Sequence, residues 1–291
     1  MLVNGKQEQS ILLEARKEHW AIGAFNVFDI PTAEAVLQAA EELGVPAMLQ
    51  LWDYHDPNAP EGNQGMGLFE AQCLNHLIRE RARLSPVPVI LHLDHTPSYE
   101  GCVRGIQAGA SSVMIDASQK PIEENIAATR KVVEAAHACG VLVEGEIGHV
   151  SGHSNSSGVI YTEVAAAKEY VERSGVDLCA VSIGTVHGVY ASEPVLNYQR
   201  IAELREALSV PLVMHGSSGL REDQFRDAIS AGIVKINFAT YVQITAGKAI
   251  AEAAAASDRP LFEKLTAVGL KAAKDYIQMH MKIFGTRPVT L

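Results

Sequence analysis

The sequence has no concentration of positive charge and no long apolar segment. Acidic residues outnumber basic ones by 34 to 24, which gives a formal net charge of -10, and Lys and Arg form no cluster. A protein that binds a polyanion needs a basic face, so this pattern argues against a nucleic-acid partner. No apolar run approaches the ~20 residues that span a bilayer, and we expect no membrane partner.

We expect no signal peptide at the start of this sequence, in which cysteine is also scarce. Residues 1–10 are polar and do not form the apolar core of a signal peptide. The cysteines are widely spaced and include no C-x-x-C pair: Cys73, Cys102, Cys139 and Cys179. Scattered cysteines are typical of proteins in a reducing compartment. We therefore expect a cytoplasmic protein whose thiols are reduced and lie in the core.

Short apolar runs alternate with helical patterns from one end of the chain to the other. Eight such runs cover residues 21–26, 46–51, 88–94, 112–116, 141–147, 178–183, 211–215 and 233–237. Short, nearly continuous apolar runs are typical of parallel strands that are buried on both faces. Eight strands, each followed by a helix, predict an α/β fold of the (β/α)8 TIM-barrel type rather than an open sheet. We expect one domain over residues 1–291.

Helices and loops follow from the same pattern. Proline near the start and glycine after the end mark predicted helices such as 31–43 and 121–139. Two extra helical segments, 240–256 and 260–285, follow the eighth strand. We expect them to cap the barrel or to form a subunit contact, which favours a homodimer or homotetramer.

Two loops, residues 52–66 and 148–162, are longer than a barrel requires. Long polar loops in a compact domain are usually functional, and loops after strands lie on the face of a barrel that carries the active site. We expect 148–162 to form a lid. For 52–66, a lid and an ordinary loop remain equally good interpretations.

Residues able to bind a metal ion fall at or just after five predicted strands. They are Asp94 and His95 after strand 3, Asp116 at strand 4, Glu146 at strand 5, His187 after strand 6 and His215 at strand 7. These strand ends converge on one rim, where three neutral imidazoles can bind Zn²⁺ or a similar ion and leave a position open for substrate. Each histidine alone is better explained as a hydrogen-bonded core group, and we interpret His92, deeper in its strand, in that way.

Small and hydroxylic residues follow the last two strands. The segments HGSSG at 215–219 and NFAT at 237–240 each lead into a predicted helix. Small residues let backbone N–H groups approach an anion, and a helix N-terminus adds partial positive charge. These glycines could serve only to turn the chain tightly, but barrels commonly bind a phosphate after strands 7 and 8. We therefore expect a phosphate site.

Six motifs occur in the order found in one enzyme family. They are LHLDH at 91–95, VMIDAS at 113–118, VEGEIG at 143–148, IGTVHG at 183–188, MHGSSGL at 214–220 and KINFAT at 235–240. Together they resemble the class II, metal-dependent fructose-bisphosphate and tagatose-bisphosphate aldolases over most of the chain. The resemblance implies reversible cleavage of a ketose 1-phosphate or ketose 1,6-bisphosphate to dihydroxyacetone phosphate and an aldehyde, with a phosphorylated sugar as substrate.

The resemblance also implies a role for each site residue. His95, His187 and His215 would bind the catalytic zinc, and Asp94 would be the acid/base at the bond that is cleaved. Asp116 and Glu146 would hold a second metal or a displaced form of the first, and a monovalent cation is an alternative second ion. The dihydroxyacetone phosphate half would be bound by Asn26, Gly188, Gly216, Ser217, Ser218, Asn237, Phe238, Ala239 and Thr240. Cleavage next to a ketone leaves an enediolate, which a divalent cation stabilises, so no Schiff-base lysine is required.

Two positions depart from the family pattern. The loop after strand 5 reads SGHSNSSG and lacks the carboxylate that handles the proton of the ketone fragment, so His153 is the candidate replacement. Trp52 stands where the family often has a serine near the distal phosphate. The sequence therefore predicts an intact ketone-phosphate half and leaves the aldehyde half open.

Two other functions are retained as alternatives. A metal-dependent barrel hydrolase would share the histidines, but such enzymes usually take a ligand pair from the first strand, and residues 21–27 offer none. A divergent sugar-phosphate-binding protein with little aldolase activity would fit the missing loop carboxylate. Metal content and retro-aldol turnover distinguish these alternatives from an aldolase.

Overall fold

The computed structural model describes residues 1–51, 68–150, 161–190 and 192–291. Eight parallel strands pair in chain order and close into a barrel, because β8 also pairs with β1. This confirms the predicted (β/α)8 fold. The strands are β1 Ile22–Asn26, β2 Ala47–Leu51, β3 Val89–Thr96, β4 Ser112–Ile115, β5 Leu142–Ile147, β6 Leu178–Val181, β7 Leu212–Met214 and β8 Ile233–Phe238.

Helices surround the barrel, and the four whose bounds were predicted, at 31–43, 121–139, 240–256 and 260–285, lie within a few residues of those bounds. Over the described ranges they are α1 Gly5–Glu18, α2 Ile30–Leu43, α3 Leu68–Arg83, α4 Tyr99–Ala108, α5 Ile122–Ala138, α6 Val164–Ser174, α7 Tyr198–Ala207, α8 Glu222–Ala231, α9 Thr240–Ala255 and α10 Phe262–Ile283. The start of α2 shows the local chemistry. Asp29 and Thr32 form a capping box there, and Gly44 ends the helix in the left-handed conformation.

Helix α1 lies against the N-terminal ends of the strands and was not among the predicted helices. Its buried residues Ile11 and Leu12 join a cluster with inward-facing strand residues such as Ile22, Met48 and Ile90. Burial of these side chains stabilises the fold by removing apolar surface from water. The N-terminal mouth of the barrel is therefore closed by an apolar plug.

Alternation along the strands separates the barrel interior from the surrounding helical layer. In β3, Leu91 and Leu93 belong to the large cluster between the strands and the helices, whereas His92 and Asp94 lie between them in sequence and face the interior. In β8, Ile236 packs outward in the same way. The inward positions near the C-terminal strand ends are thus occupied by polar side chains.

The extra C-terminal helices are present and differ in burial. Helix α10 packs against α2 and α9, and it buries Ala273, Ile277 and Met281. Helix α9 buries Val242 and is otherwise largely accessible. Within the described ranges, no helix is long and apolar enough to cross a membrane.

The cysteines correct one prediction. All four are free thiols, and Cys102 and Cys179 are buried, but Cys73 and Cys139 are exposed. The prediction of core thiols was therefore wrong for Cys73 and Cys139. Cys139 is the C-cap of α5, where the chain reaches the surface before β5, although its neighbours in sequence are apolar.

Candidate metal centre

Three histidines converge at the C-terminal end of the barrel. His95 lies near the end of β3, and His187 and His215 follow β6 and β7. One ring nitrogen of each lies within 4.8 Å of one from each of the others. The ring centroids of His95 and His215 are 4.6 Å apart, and those of His95 and His187 are 5.1 Å apart. The structure thus brings together the three histidines expected to bind the catalytic metal.

The backbone at His95 departs from a regular strand. Its φ is 31°, and the register between β3 and β4 shifts between Leu93 and Thr96. Adjacent residues of a regular strand point to opposite faces, but a bulge re-aims a side chain. As a result, both Asp94 and His95 line the same pocket. A positive φ at a residue other than glycine is uncommon and is concentrated at functional sites.

Three carboxylates surround the histidines. Asp116 Oδ2 lies 2.9 Å from His95 Nδ1, and Glu146 Oε2 lies 2.9 Å from His215 Nδ1. Glu144 Oε1 contacts the other nitrogen of His215, Nε2, at 3.0 Å. His95, Asp116 and Glu146 form a second candidate metal-binding group whose ligand atoms lie within 4.8 Å of one another. The five expected metal residues therefore form two groups that share His95.

The electrostatics of the cluster suit a cation. Burial disfavours a charged His95, but the carboxylates of Asp94 and Asp116 outweigh burial and raise the pKa of His95 to about 10. Burial, together with His95 and His215, lowers the pKa of His187 to about 4. The pKa of Asp116 is well below its usual value, because contact with His95 overcomes its burial. A metal ion would take the place of a proton among these anions.

The donor set itself fits a divalent transition metal. Imidazole suits Zn²⁺ and similar ions, and ligating histidines commonly donate their other N–H to a carboxylate. His95 contacts a carboxylate through Nδ1 in this way. Both ring nitrogens of His215 contact carboxylates, so His215 would bind a metal in place of one of them.

The pocket beside the cluster contains every residue expected to bind substrate. It is lined by Asn26, Asp94, His95, His187, Gly188, Gly216, Ser217, Ser218, Asn237, Phe238, Ala239 and Thr240. His215 is fully buried and does not line it. Gly216 has φ 66°, and a Cβ there would lie 2.5 Å from the carbonyl oxygen of Val186, so the site requires glycine. The Ser217 hydroxyl donates to the carbonyl of Asn237 and joins the loop after β7 to the end of β8.

Asp94 is buried, and two side-chain amides donate hydrogen bonds to its carboxylate. Asn26 Nδ2 donates to Asp94 Oδ2 at 2.9 Å, and Asn237 Nδ2 donates to Oδ1 at 3.1 Å. Burial alone would raise the pKa of Asp94, but His95 and Lys235 outweigh it and lower the pKa below its ordinary value. The carboxylate is thus held ionised at the edge of the pocket, in a position to accept a proton.

Glu144 and Lys235 belong to this network and were not predicted. Both are fully buried, and Lys235 Nζ lies 2.9 Å from Glu144 Oε2. Strand alternation could have shown that both side chains face the barrel interior, because Glu144 is two residues from Glu146 and Lys235 is two residues from Asn237. His92 lies deeper, with Nδ1 2.7 Å from Ser112 Oγ.

The long loops, for which a lid was considered, lie largely outside the described residues. All of 52–66, which includes Trp52, and residues 151–160, which include His153, fall there. The roles expected for them stay predictions.

Comparison with known proteins identifies the family. Residues 6–288 match the family model for class-II fructose-bisphosphate aldolase. A "Probable fructose-bisphosphate aldolase" from Bacillus subtilis is 38% identical over 280 residues, covering 95% of this chain and 96% of the relative. A fructose-bisphosphate aldolase from Geobacillus stearothermophilus is 37% identical over 287 residues, covering 96% of each. The crystal structure of the YdjI aldolase from Escherichia coli K12 superposes with a TM-score of 0.86 at 35% identity and covers 98% of both chains. The chain therefore belongs to the class II fructose-bisphosphate aldolase family and is a lyase rather than a barrel hydrolase.

Proposed function

We propose that this aldolase is zinc-dependent and cleaves a ketose 1-phosphate or ketose 1,6-bisphosphate to dihydroxyacetone phosphate and an aldehyde. The observation that carries the proposal is that three histidines meet beside a pocket that Asp94 also lines. The Bacillus and Geobacillus relatives are named fructose-bisphosphate aldolases, so fructose 1,6-bisphosphate is the first substrate to test.

His95, His187 and His215 would hold the Zn²⁺ or another divalent ion. A divalent cation bound there would act as a Lewis acid and stabilise the charge that develops on the ketone oxygen of the substrate. Asp116 and Glu146, together with His95, would supply a second position for a metal. Glu144 accepts a hydrogen bond from His215 and would orient its ring.

The loops after β6, β7 and β8 would bind the phosphate of the ketone half. Gly188, Gly216, Ser217 and Ser218 line the pocket. Thr240, the first residue of α9, also lines it, and the backbone N–H groups of a first helical turn favour an anion. Phosphate held here would place the adjacent ketone carbon near the histidine cluster.

Asp94 would transfer the proton at the bond that is cleaved. In the cleavage direction, its carboxylate accepts the proton of the C4 hydroxyl while the C3–C4 bond breaks and the aldehyde forms. The bonding electron pair stays on the ketone fragment as an enediolate, which then takes up a proton at C3. In the reverse direction Asp94 returns its proton to the new hydroxyl. Proton transfer of this kind contributes ~10²–10⁴-fold in rate.

We also propose that residues 1–291 form one domain that acts as a homo-oligomer in the cytoplasm. The turn between α9 and α10 supports assembly, since Leu261 is 55% exposed and Phe262 is 85% exposed. Exposed large apolar side chains are commonly found at protein contacts. The four free cysteines are consistent with a reducing compartment.

A coupled assay for dihydroxyacetone phosphate tests the proposal. The zinc-loaded protein is given a panel of ketose 1-phosphates and ketose 1,6-bisphosphates, and release is measured with and without a chelator. We expect release from at least one substrate and none after chelation. Release from no substrate by the zinc-loaded protein would favour the sugar-phosphate-binding alternative.

A further inference from the structure

A buried lysine contacts Asn237, one of the two residues whose amides donate to Asp94. Lys235 is fully buried on β8, its Nζ lies 2.9 Å from Glu144 Oε2, and it donates to Asn237 Oδ1 at 2.7 Å. Lysine is almost never fully buried unless it is paired. The proposed chemistry assigns no step to Lys235, so its placement calls for another explanation.

The contact with Asn237 fixes which way its amide points. An ammonium group only donates hydrogen bonds, so the amide oxygen of Asn237 must face Lys235. The NH₂ group must then face the other way, towards Asp94, whose Oδ1 it reaches at 3.1 Å. Lys235 and Asp94 therefore favour the same orientation of the Asn237 amide, and without Lys235 only the contact with Asp94 would maintain it.

We propose that Lys235 is a positioning residue, which acts through Asn237 to hold Asp94 as an aligned hydrogen-bond acceptor for the substrate hydroxyl. This inference rests on the proposed function. A misdirected amide oxygen would repel the Asp94 carboxylate and disturb its alignment, although Asn26 still binds the other oxygen. The step affected is the proton transfer that accompanies C3–C4 cleavage.

The inference separates two reactions of the same site. C3–C4 cleavage requires Asp94 to take the C4 hydroxyl proton. Dihydroxyacetone phosphate can also exchange a proton of its hydroxymethyl carbon, which becomes C3 of the ketose, with solvent. This exchange breaks and remakes a C–H bond and needs no proton transfer at C4. A positioning role for Lys235 therefore predicts slower cleavage with exchange retained, whereas general damage to the metal centre would slow both reactions.

The test variant must not leave an unpaired charge. Lys235→Met alone strands the buried carboxylate of Glu144, and breaking a buried ion pair in this way is strongly destabilising. The double variant Lys235→Met/Glu144→Gln removes both charges and keeps an oxygen that can accept from His215. Glu144→Gln alone is the reference, because it differs from the double variant only at Lys235. It leaves the Lys235 ammonium without its carboxylate, so its stability and zinc content are compared with those of the wild type before the kinetics.

The experiment compares wild type, Glu144→Gln and the double variant after zinc content and thermal unfolding have been measured. Steady-state kinetics give kcat and KM for the ketose phosphate that the wild type cleaves best, and NMR in D₂O gives the exchange rate of dihydroxyacetone phosphate. Relative to Glu144→Gln, we expect the double variant to lose about tenfold or more in cleavage kcat, part of the ~10²–10⁴-fold contribution of acid–base catalysis. Its KM and exchange rate should be unchanged.

Parallel losses of cleavage and exchange, or no difference in cleavage between the two variants, would overturn the inference. If the double variant does not fold, Lys235→Gln/Glu144→Gln supplies the same test, since a neutral amide can both donate and accept and so no longer fixes the orientation of the Asn237 amide. We expect it too to lose cleavage selectively, and equal loss of both reactions would count against the inference. Absence of both reactions in the wild type would instead overturn the proposed function, and the role of Lys235 with it.

Discussion

The two ends of the barrel use the same inward-facing strand positions for opposite purposes. Near the N-terminal end, Ile90 in β3 and Leu142 in β5 join the apolar cluster beneath α1. Two residues further along each strand, the inward positions hold His92 and Glu144, and both are fully buried. The apolar end contributes stability, whereas burial of polar groups costs free energy unless partners compensate for it. Stability and chemistry are thus separated along the barrel axis.

Two buried carboxyl groups make the contrast sharper. At the N-terminal end, Glu8 Oε1 accepts from Ser112 at 2.7 Å, but Oε2 has no hydrogen-bond partner. At the C-terminal end, both oxygens of Asp94 accept amide hydrogens. Burial raises the pKa of Glu8 to about 7, while its surroundings lower the pKa of Asp94. A buried carboxyl group thus keeps its proton up to about pH 7 at the N-terminal end, whereas a buried carboxyl group at the C-terminal end is ionised.

Removal of the metal should have the largest effect of the changes considered. We expect this effect to be confined to the C-terminal end of the barrel. We expect a chelator to abolish retro-aldol turnover and added Zn²⁺ to restore it, since the proposed chemistry depends on Lewis-acid stabilisation. The fold should survive, because the apolar clusters beneath α1 and between the strands and the helices do not depend on the metal. Turnover and circular dichroism of the same samples check both statements. Full activity in protein shown by elemental analysis to be metal-free would refute the metal requirement.

Asp94→Ala should have the second-largest effect on activity. We expect kcat to fall by ~10²–10⁴-fold, the usual contribution of a general acid/base, with bound zinc retained. Asp94→Asn is the matched control, because it keeps the shape of the side chain and removes its basicity. Kinetics together with elemental analysis provide the check. A variant that loses zinc in proportion to its activity would show that Asp94 acts on the metal site rather than on the proton.

The sequence was most informative where one residue type must recur at regular positions. Alternating apolar runs predicted all eight strands, and the strand-end positions of His95, His187 and His215 predicted that they would meet. These features depend on parity and on barrel geometry, which every strand shares.

Features set by individual contacts were not predicted. Helix α1 begins with a polar turn capped by Asn4, which resembles an ordinary terminal segment until Ile11 and Leu12 are seen packed under the barrel. The roles of Glu144 and Lys235 depend on which buried charges pair across strands, and neither charge nor spacing determines that pairing. The role expected for Trp52 at the distal end of the substrate stays a prediction.

Leu12→Ala tests the N-terminal end without touching the site. Leu12 is 1% exposed, and truncating a buried leucine costs ~2–5 kcal/mol of the free energy of unfolding. We expect kcat of the folded protein to be unchanged. Leu13→Ala is the matched control, since Leu13 is 47% exposed and its truncation should cost much less. Urea unfolding and kinetics below the transition measure the two quantities, and a large fall in kcat for Leu12→Ala would show that the two ends are coupled.

Glu8→Gln should have the smallest effect and a definite pH dependence. Burial raises the pKa of Glu8 from 4.5 to about 7. Below pH 4.5 the group is protonated in both states, so it contributes no pH dependence. Between pH 4.5 and 7 the unfolded chain releases this proton while the folded protein keeps it, so the wild type loses stability as pH rises and then levels off.

Glutamine does not titrate, so the advantage of the variant should grow across that window. A shift of about 2.5 pKa units corresponds to roughly 3 kcal/mol at most, since one unit is about 1.4 kcal/mol. Free energies of unfolding from urea titrations at pH 5, 6, 7 and 8, taken as variant minus wild type, isolate Glu8 because the metal site is common to both proteins. Glu14→Gln, at an exposed position of the same helix, is the control for the substitution itself. A flat difference for Glu8→Gln would mean that the N-terminal plug tolerates a carboxylate as readily as the C-terminal site does, and the contrast between the two ends would then rest on packing alone.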